Sequence, residues 1–207
     1  MDFKFLPPRH QLVEMMTRIY KQGLTTTSGG NLSILDDNGD IWITPAGIDK
    51  GSLVPDDIVC VHRDGSMEGR HRPSSEHPFH RMIYEARPDV RSIVHAHPPG
   101  LVAYSIVRKM PTTRVNAPFR DICGSVGYAA YALPGSEDLG AEIAATFAKG
   151  YNSVMLENHG VVTAGADLLQ AFQRFETLEY VAQINIRARS LGEFQTLSNE
   201  QIDLFYL

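Results

Sequence analysis

Apolar residues recur along this chain with two periods, and the switches between them mark out its elements. Behind Pro7-Pro8, residues Leu12, Val13, Met16, Ile19 and Tyr20 fall on one helical stripe, with Gly23 as a stop. A polar, glycine-rich stretch follows, TTTSGGNLS (25–33). Strand-type runs at 32–35 and 41–44 flank Asn38-Gly39, a hairpin signal, and a third run at 58–62 enters a turn at Asp64-Gly65. Pro73-Ser74-Ser75-Glu76 predicts a helix entry, with a serine as N-cap and Pro78 in the first turn. That helix is expected to turn Phe79, Met82, Ile83 and Ala86 inward and to end before Pro88.

Residues 90–97 read as a strand, 99–108 as a helix and 126–133 as a strand. Ser136 caps a helix predicted to reach Gly150, with Glu137 and Asp138 at its positive end. Strand fragments at 154–157 and 161–163 flank Asn158-His159-Gly160. A long helix fills 167–190, with Leu168, Leu169, Phe172, Phe175, Leu178 and Val181 as its apolar face, and Ser198 to Gln201 is a capping box. This order predicts an α/β fold: a three-layer α/β/α arrangement around a largely antiparallel central sheet, one domain over 1–207 without a linker. The chain stops on Phe205-Tyr206-Leu207, just inside the last helix, so a C-terminal tail is expected beyond the sequence given.

Composition narrows the class. Hydrophobic residues at 43% and charged residues at 21% are ordinary for a soluble globular domain, and 207 residues suffice for a sizeable core. A net charge of −5 without a single-sign run argues against nucleic-acid binding, while leaving room for a locally positive pocket. No apolar run approaches the length needed to span a bilayer, and no signal-peptide pattern opens the chain. Cys60 and Cys123 are far apart and lack metal-type spacing, which fits reduced thiols and a cytoplasmic location.

The chemistry lies in the histidines. His95 and His97 stand two apart at the end of a predicted strand, so both imidazoles face one side. Alone, the pair fits one core and one surface histidine equally well. His159 shifts the balance: it sits in a polar break, Glu157 to Gly160, between two apolar strand fragments. Three imidazoles at two strand ends make a catalytic-type set that suits zinc with one open position. His10, His62 and His71 read as surface or turn residues, and His77 and His80 as packing or solubilising groups on the helix after Glu76. Glu76, at a helix start that favours anions, is the acid–base candidate; the alternative is a glutamate that merely stabilises its helix. Ser28-Gly29-Gly30-Asn31, Thr44 to Gly47 and Ser74-Ser75 are three small-residue turns able to offer backbone N–H groups to an anion. None is a P-loop, since no Gly-Lys-Ser/Thr follows.

Together SGGNLS (28–33), ITPAG (43–47), RPSSE (72–76), IVHAHP (93–98) and ENHG (157–160), in that order and spacing, resemble the class II aldolase/adducin family over nearly the whole chain. The resemblance implies one zinc ion per subunit held by His95, His97 and His159, with Glu76 a ligand in the resting site and the base during turnover. It implies phosphate binding by Gly30, Asn31, Gly47, Ser74 and Ser75. It also implies a homotetramer with interfacial active sites, acting on a small phosphorylated sugar. The activity implied is aldol cleavage of a ketose 1-phosphate of the fuculose-phosphate type to dihydroxyacetone phosphate and an aldehyde. Epimerase, dehydratase or decarboxylase chemistry on the same scaffold and a non-catalytic adducin-like module are the alternatives. Glu76 favours the aldolase over the 4-epimerase, in which an aspartate follows the two serines; the retained histidines argue against the adducin-like module. Two positions depart from the fuculose-phosphate pattern. Ala46 replaces a threonine of the phosphate site, and no tyrosine occurs from Ser105 to Gly127, where Arg120 and Asp121 are polar residues. A second family tyrosine belongs to the C-terminal tail of the neighbouring subunit.

Overall fold

A computed structural model describes residues 3–193 and 195–206; Leu207, on which the expected tail bears, lies outside them. The chain forms a mixed eight-stranded sheet in the order β4-β3-β2-β1-β5-β8-β7-β6. The strands are β1 (Asn31–Leu35), β2 (Ile41–Ile43), β3 (Val59–Val61), β4 (Met67–Glu68), β5 (Ser92–Ala96), β6 (Val126–Ala129), β7 (Ser153–Leu156) and β8 (Gly160–Gly165). β6 runs parallel to β7, and the other neighbouring pairs are antiparallel. The helices are α1 (Pro8–Lys21), α2 (His77–Ala86), α3 (Pro99–Ile106), α4 (Ala117–Cys123), α5 (Glu137–Phe147), α6 (Leu168–Leu191) and α7 (Asn199–Asp203).

Side chains alternate across a strand, so the central strands feed two cores. Val94 and Val161 join the apolar faces of α1, α3 and α6, whereas Ile93 and Val162 join those of α2 and α5. β5 is buried along its whole length between β1 and β8, with Asn31 opposite His95 on one side and Val162 opposite it on the other. The caps expected at Ser136 and Ser198 form, each hydroxyl accepting a backbone N–H of the first turn.

Some expectations needed correction. Tyr20 and Leu169, placed on apolar stripes, are partly exposed at 36% and 37%, while Met15 is fully buried. α2 is rotated by about one position from the predicted face: Phe79, His80, Ile83 and Tyr84 are buried, Met82 is half-buried and Ala86 is exposed. Hydrogen bonds to β1 make this possible, because they satisfy the polar atoms of His80 and Tyr84. The N-cap of α2 is Glu76 rather than a serine. Ser74 Oγ accepts the Glu76 N–H, while the Ser74 N–H donates to Thr44 O, which lays this segment along the 44–46 turn. The strand expected at 126–133 ends at Ala129, and neither β4 nor α4 was foreseen.

Candidate active site

The three histidines meet at one end of the central strands. His95 lies on β5, His97 one residue past it, and His159 in the turn between β7 and β8. That turn holds Asn158 at φ 52°, a left-handed conformation that asparagine tolerates better than most residues. One ring nitrogen from each histidine lies within 4.8 Å of the others. Gly30 lets the first small-residue turn approach this group: its φ is +72°, and a Cβ there would lie 2.7 Å from His95 O.

Protonation follows from the partners. His95 Nδ1 is 2.9 Å from Val161 O, and a carbonyl only accepts, so Nδ1 carries a proton; Nε2, which faces the Glu76 carboxylate, is the nitrogen left to meet an ion once it gives up its own proton. Burial first, and the nearby His95 second, hold His97 down to about 3 and His159 to about 4. Both are therefore neutral at neutral pH. The Glu76 carboxylate closes the group, with Oε2 3.1 Å from His95 Nε2 and Oε1 3.5 Å from His159 Nε2. Burial works to raise its pKa, but His95 and a hydrogen bond from Asn31 outweigh this and keep it ionised, well below the usual carboxylate range.

This group fits a metal ion. His95 Nε2, His97 Nε2 and Glu76 Oε1 are buried without a hydrogen-bond partner. Buried polar atoms left unmet cost about 1–3 kcal/mol each, so several at one point signal a missing binding partner. Imidazole nitrogens and one carboxylate oxygen are a donor set that suits zinc, at bonds of about 2.0–2.2 Å.

Behind the group runs a chain of buried hydrogen bonds. Asn31 Nδ2 donates to Glu76 Oε2 at 2.7 Å, which leaves Asn31 Oδ1 to accept from His80 Nε2 at 2.5 Å. Burial, then the charge of His95, keeps His80 neutral, so its Nδ1 accepts from Ser33 Oγ at 2.7 Å. Ser33 Oγ in turn accepts from the Tyr84 hydroxyl at 2.6 Å. Every donor has one acceptor, and the chain ends on the carboxylate, fixing its orientation.

The three small-residue turns converge. Ser28 to Asn31, Pro45 to Gly47 and Ser74-Ser75 line one cavity of about 250 Å³ together with Glu76, His97 and His159. Gly30, Asn31, Gly47, Ser74 and Ser75 are thus all at its wall. Arg120 and Asp121 do not line it; on α4, Arg120 donates to Gly124 O and Ser125 Oγ. Of two larger clefts elsewhere, of about 610 and 730 Å³, the second is lined by His62, which belongs with Asp40 and Cys60 to another group of potential ligands among the described residues. Sequence reasoning missed Lys50, which lines the cavity, and treated His80 as a packing or solubilising group. The sole sequence signal for Lys50 was a cation three residues beyond Gly47.

The chain is similar to known proteins over most of its length. The model of the Class II Aldolase and Adducin N-terminal domain matches residues 10–186. A 5-deoxy-D-ribulose 1-phosphate aldolase of Bacillus thuringiensis is 30% identical, over 94% of this chain and 92% of its own. A 3-oxo-tetronate 4-phosphate decarboxylase of Pectobacterium atrosepticum is 33% identical, over 85% of this chain and 82% of its own. A solved structure of L-fuculose 1-phosphate aldolase superposes with a TM-score of 0.85 at 31% identity, covering 99% of this chain and 97% of that one.

Proposed function

The chain belongs to the class II aldolase and adducin family, and from that premise we propose that it is a zinc-dependent aldolase cleaving a ketose 1-phosphate to dihydroxyacetone phosphate and an aldehyde. The observation that carries this reading is the ionised Glu76 against three clustered imidazoles, each with a buried ring nitrogen that has no hydrogen-bond partner, at the wall of a cavity lined by small-residue turns. His95, His97 and His159 would hold the ion, with Glu76 as the fourth group until substrate displaces it. A divalent ion there supplies Lewis acidity, polarising the substrate carbonyl and offsetting the negative charge that develops on cleavage.

The protein's own groups do the rest. Gly30, Asn31, Gly47, Ser74 and Ser75 seat the phosphate and so fix the carbonyl end of the substrate against the histidines. The bond between the carbon next to the carbonyl and the hydroxyl-bearing carbon breaks, and that hydroxyl becomes the aldehyde as its proton leaves. Glu76 manages the proton on the carbon next to the carbonyl: it takes up, by way of water, the proton that the hydroxyl releases on cleavage and delivers it to that carbon, and it removes that proton in the condensing direction. Its ionised state leaves it able to accept a proton, and the Asn31 hydrogen bond keeps Oε2 aimed at the site. Active sites completed across subunits of a homotetramer, and a cytoplasmic location, go with this reading. No helix among the described residues is long and apolar enough to cross a membrane.

A second reading has specific support: relatives of equal similarity are decarboxylases of a 3-oxo acid phosphate. There the same ion would stabilise charge left by departing carbon dioxide. One panel separates the two. Purified, metal-loaded protein is incubated with ketose 1-phosphates, with dihydroxyacetone phosphate coupled to NADH oxidation, and in parallel with 3-oxo-tetronate 4-phosphate, with carbon dioxide release followed. Turnover of a ketose 1-phosphate is expected; carbon dioxide release alone would replace the aldolase with the decarboxylase.

A further inference from the structure

Lys50 has no role in the assignment above, yet it is among the most buried side chains of the protein. It is 2% exposed, and among the described residues it makes one hydrogen bond, from Nζ to Pro45 O at 2.6 Å, and no ion pair. An ammonium has three donors and is costly to bury without a counter-charge. We propose that Lys50 is the cationic half of the substrate's phosphate subsite, pairing with a phosphate monoester dianion; this rests on the sugar-phosphate reading of the same cavity.

Three observations place it there. Lys50 lines the cavity, and the other ionised side chain at its wall is Glu76. Glu76 is already engaged by Asn31 and the histidines, so the two charges mark opposite functions: an anion seat at the turns and a reacting end at the imidazoles. Lys50 is also fastened to two of the three turns. Its backbone N–H donates to Thr27 O at 2.9 Å, and its ammonium holds the carbonyl of Pro45, next to Ala46 and Gly47. The other groups that the turns offer are neutral donors, namely serine hydroxyls and backbone N–H groups, which orient a phosphate but do not neutralise it. Burial depresses the ammonium's pKa, with neighbouring Asp49 opposing, and a bound dianion would restore its proton affinity.

The rival explanation is mechanical: Lys50 as a strut under Pro45. Lys50→Met separates the two, because it keeps the chain length and removes the charge. Inorganic phosphate binding to the metal-loaded protein is measured by calorimetry, alongside metal content and melting temperature. The subsite predicts at least a tenfold rise in Kd for phosphate, unchanged metal content, and a melting temperature equal to or above that of the wild type, since an unpaired buried charge has been removed. Unchanged phosphate affinity with a lowered melting temperature would establish the strut and overturn the proposal. In the unmutated protein the Lys50 ¹³Cε resonance should shift on titration with inorganic phosphate. An unmoved resonance at saturation, or no phosphate binding at tens of millimolar, overturns the proposal even if the variant does not fold. The two assignments fail separately. Phosphate binding that depends on Lys50 without cleavage of any ketose 1-phosphate sinks only the reaction. Cleavage with the same KM in Lys50→Met sinks only the subsite.

Discussion

Among the described residues, two clusters bring three metal-capable side chains within 4.8 Å of one another: His95, His97 and His159, and Asp40, Cys60 and His62. By proximity they are equals; by bonding they differ. In the second, His62 Nδ1 is 2.9 Å from Asp40 Oδ2, and Asp40 Oδ1 accepts the Arg63 N–H at 3.0 Å. The hydrogen bond to Asp40 raises the pKa of His62, favouring the cation, and burial with nearby carboxylates pushes the Cys60 thiol up to about 11. The atoms that face one another in this group are thus already engaged within the protein. In the first cluster the acceptor atoms are buried and unmet, and two of the imidazoles are held neutral. A ligand site is recognised by bonding capacity that the protein leaves unfilled, more than by which residues are close.

The largest effect is expected at Glu76. Glu76→Gln should retain the metal and lose about 10²–10⁴-fold in turnover, the usual worth of a positioned acid–base group. Full activity in that variant would show that proton transfer is handled elsewhere. His97→Ala, measured as metal per subunit after dialysis against a weak chelator, should lose most of its metal, whereas His62→Asn should lose none. Metal loss in the second variant but not in the first would invert the comparison. His80→Phe leaves Asn31 Oδ1 without its donor and loosens the carboxylate, so a fall of about 10–100-fold in metal affinity or turnover is expected. Wild-type values for both would mean that the hydrogen-bond chain behind Glu76 is only packing.

A smaller effect concerns pH. In the metal-free protein His97 and His159 sit at about 3 and 4, against an ordinary 6.5, so the unfolded chain binds more protons than the folded one between these limits. Their contribution to stability is complete above about 6.5 and lost as pH falls to about 3, while His95, raised by Glu76, works in the opposite sense. Denaturant midpoints should therefore drop on acidification through this window, and more steeply while zinc is bound, because the ion holds all three imidazoles deprotonated. A midpoint that rises on acidification would contradict the neutral state of the two imidazoles.

Much of this was legible in the residues. The two-residue spacing of His95 and His97 needs only the strand period, and the Ser136 and Ser198 caps need only local geometry. What failed had long-range causes. The face of α2 was misjudged because His80 and Tyr84 look polar until Ser33, forty-seven and fifty-one residues away in sequence, meets their hydrogen bonds. Lys50 passed unnoticed for the same reason: a lysine two residues after Ile48 reads as a solvated side chain.

The sequence by itself determined which groups are available, because residue type and local period decide what a strand end or a turn can present: three imidazoles, a glutamate at a helix start, and three turns of small residues. Only the tertiary structure decided that they share one cavity. That depends on β1, β5 and β8 lying side by side with Asn31 opposite His95, and on the Ser74 N–H reaching Thr44 O. These are pairings between distant segments, and their energy comes from burial and hydrogen bonds that no local pattern encodes. The same holds for charge. That Lys50 is buried with no counter-ion among the described residues, and Glu76 is held ionised among imidazoles, follows from what surrounds each group, and those surroundings exist only once the chain has folded.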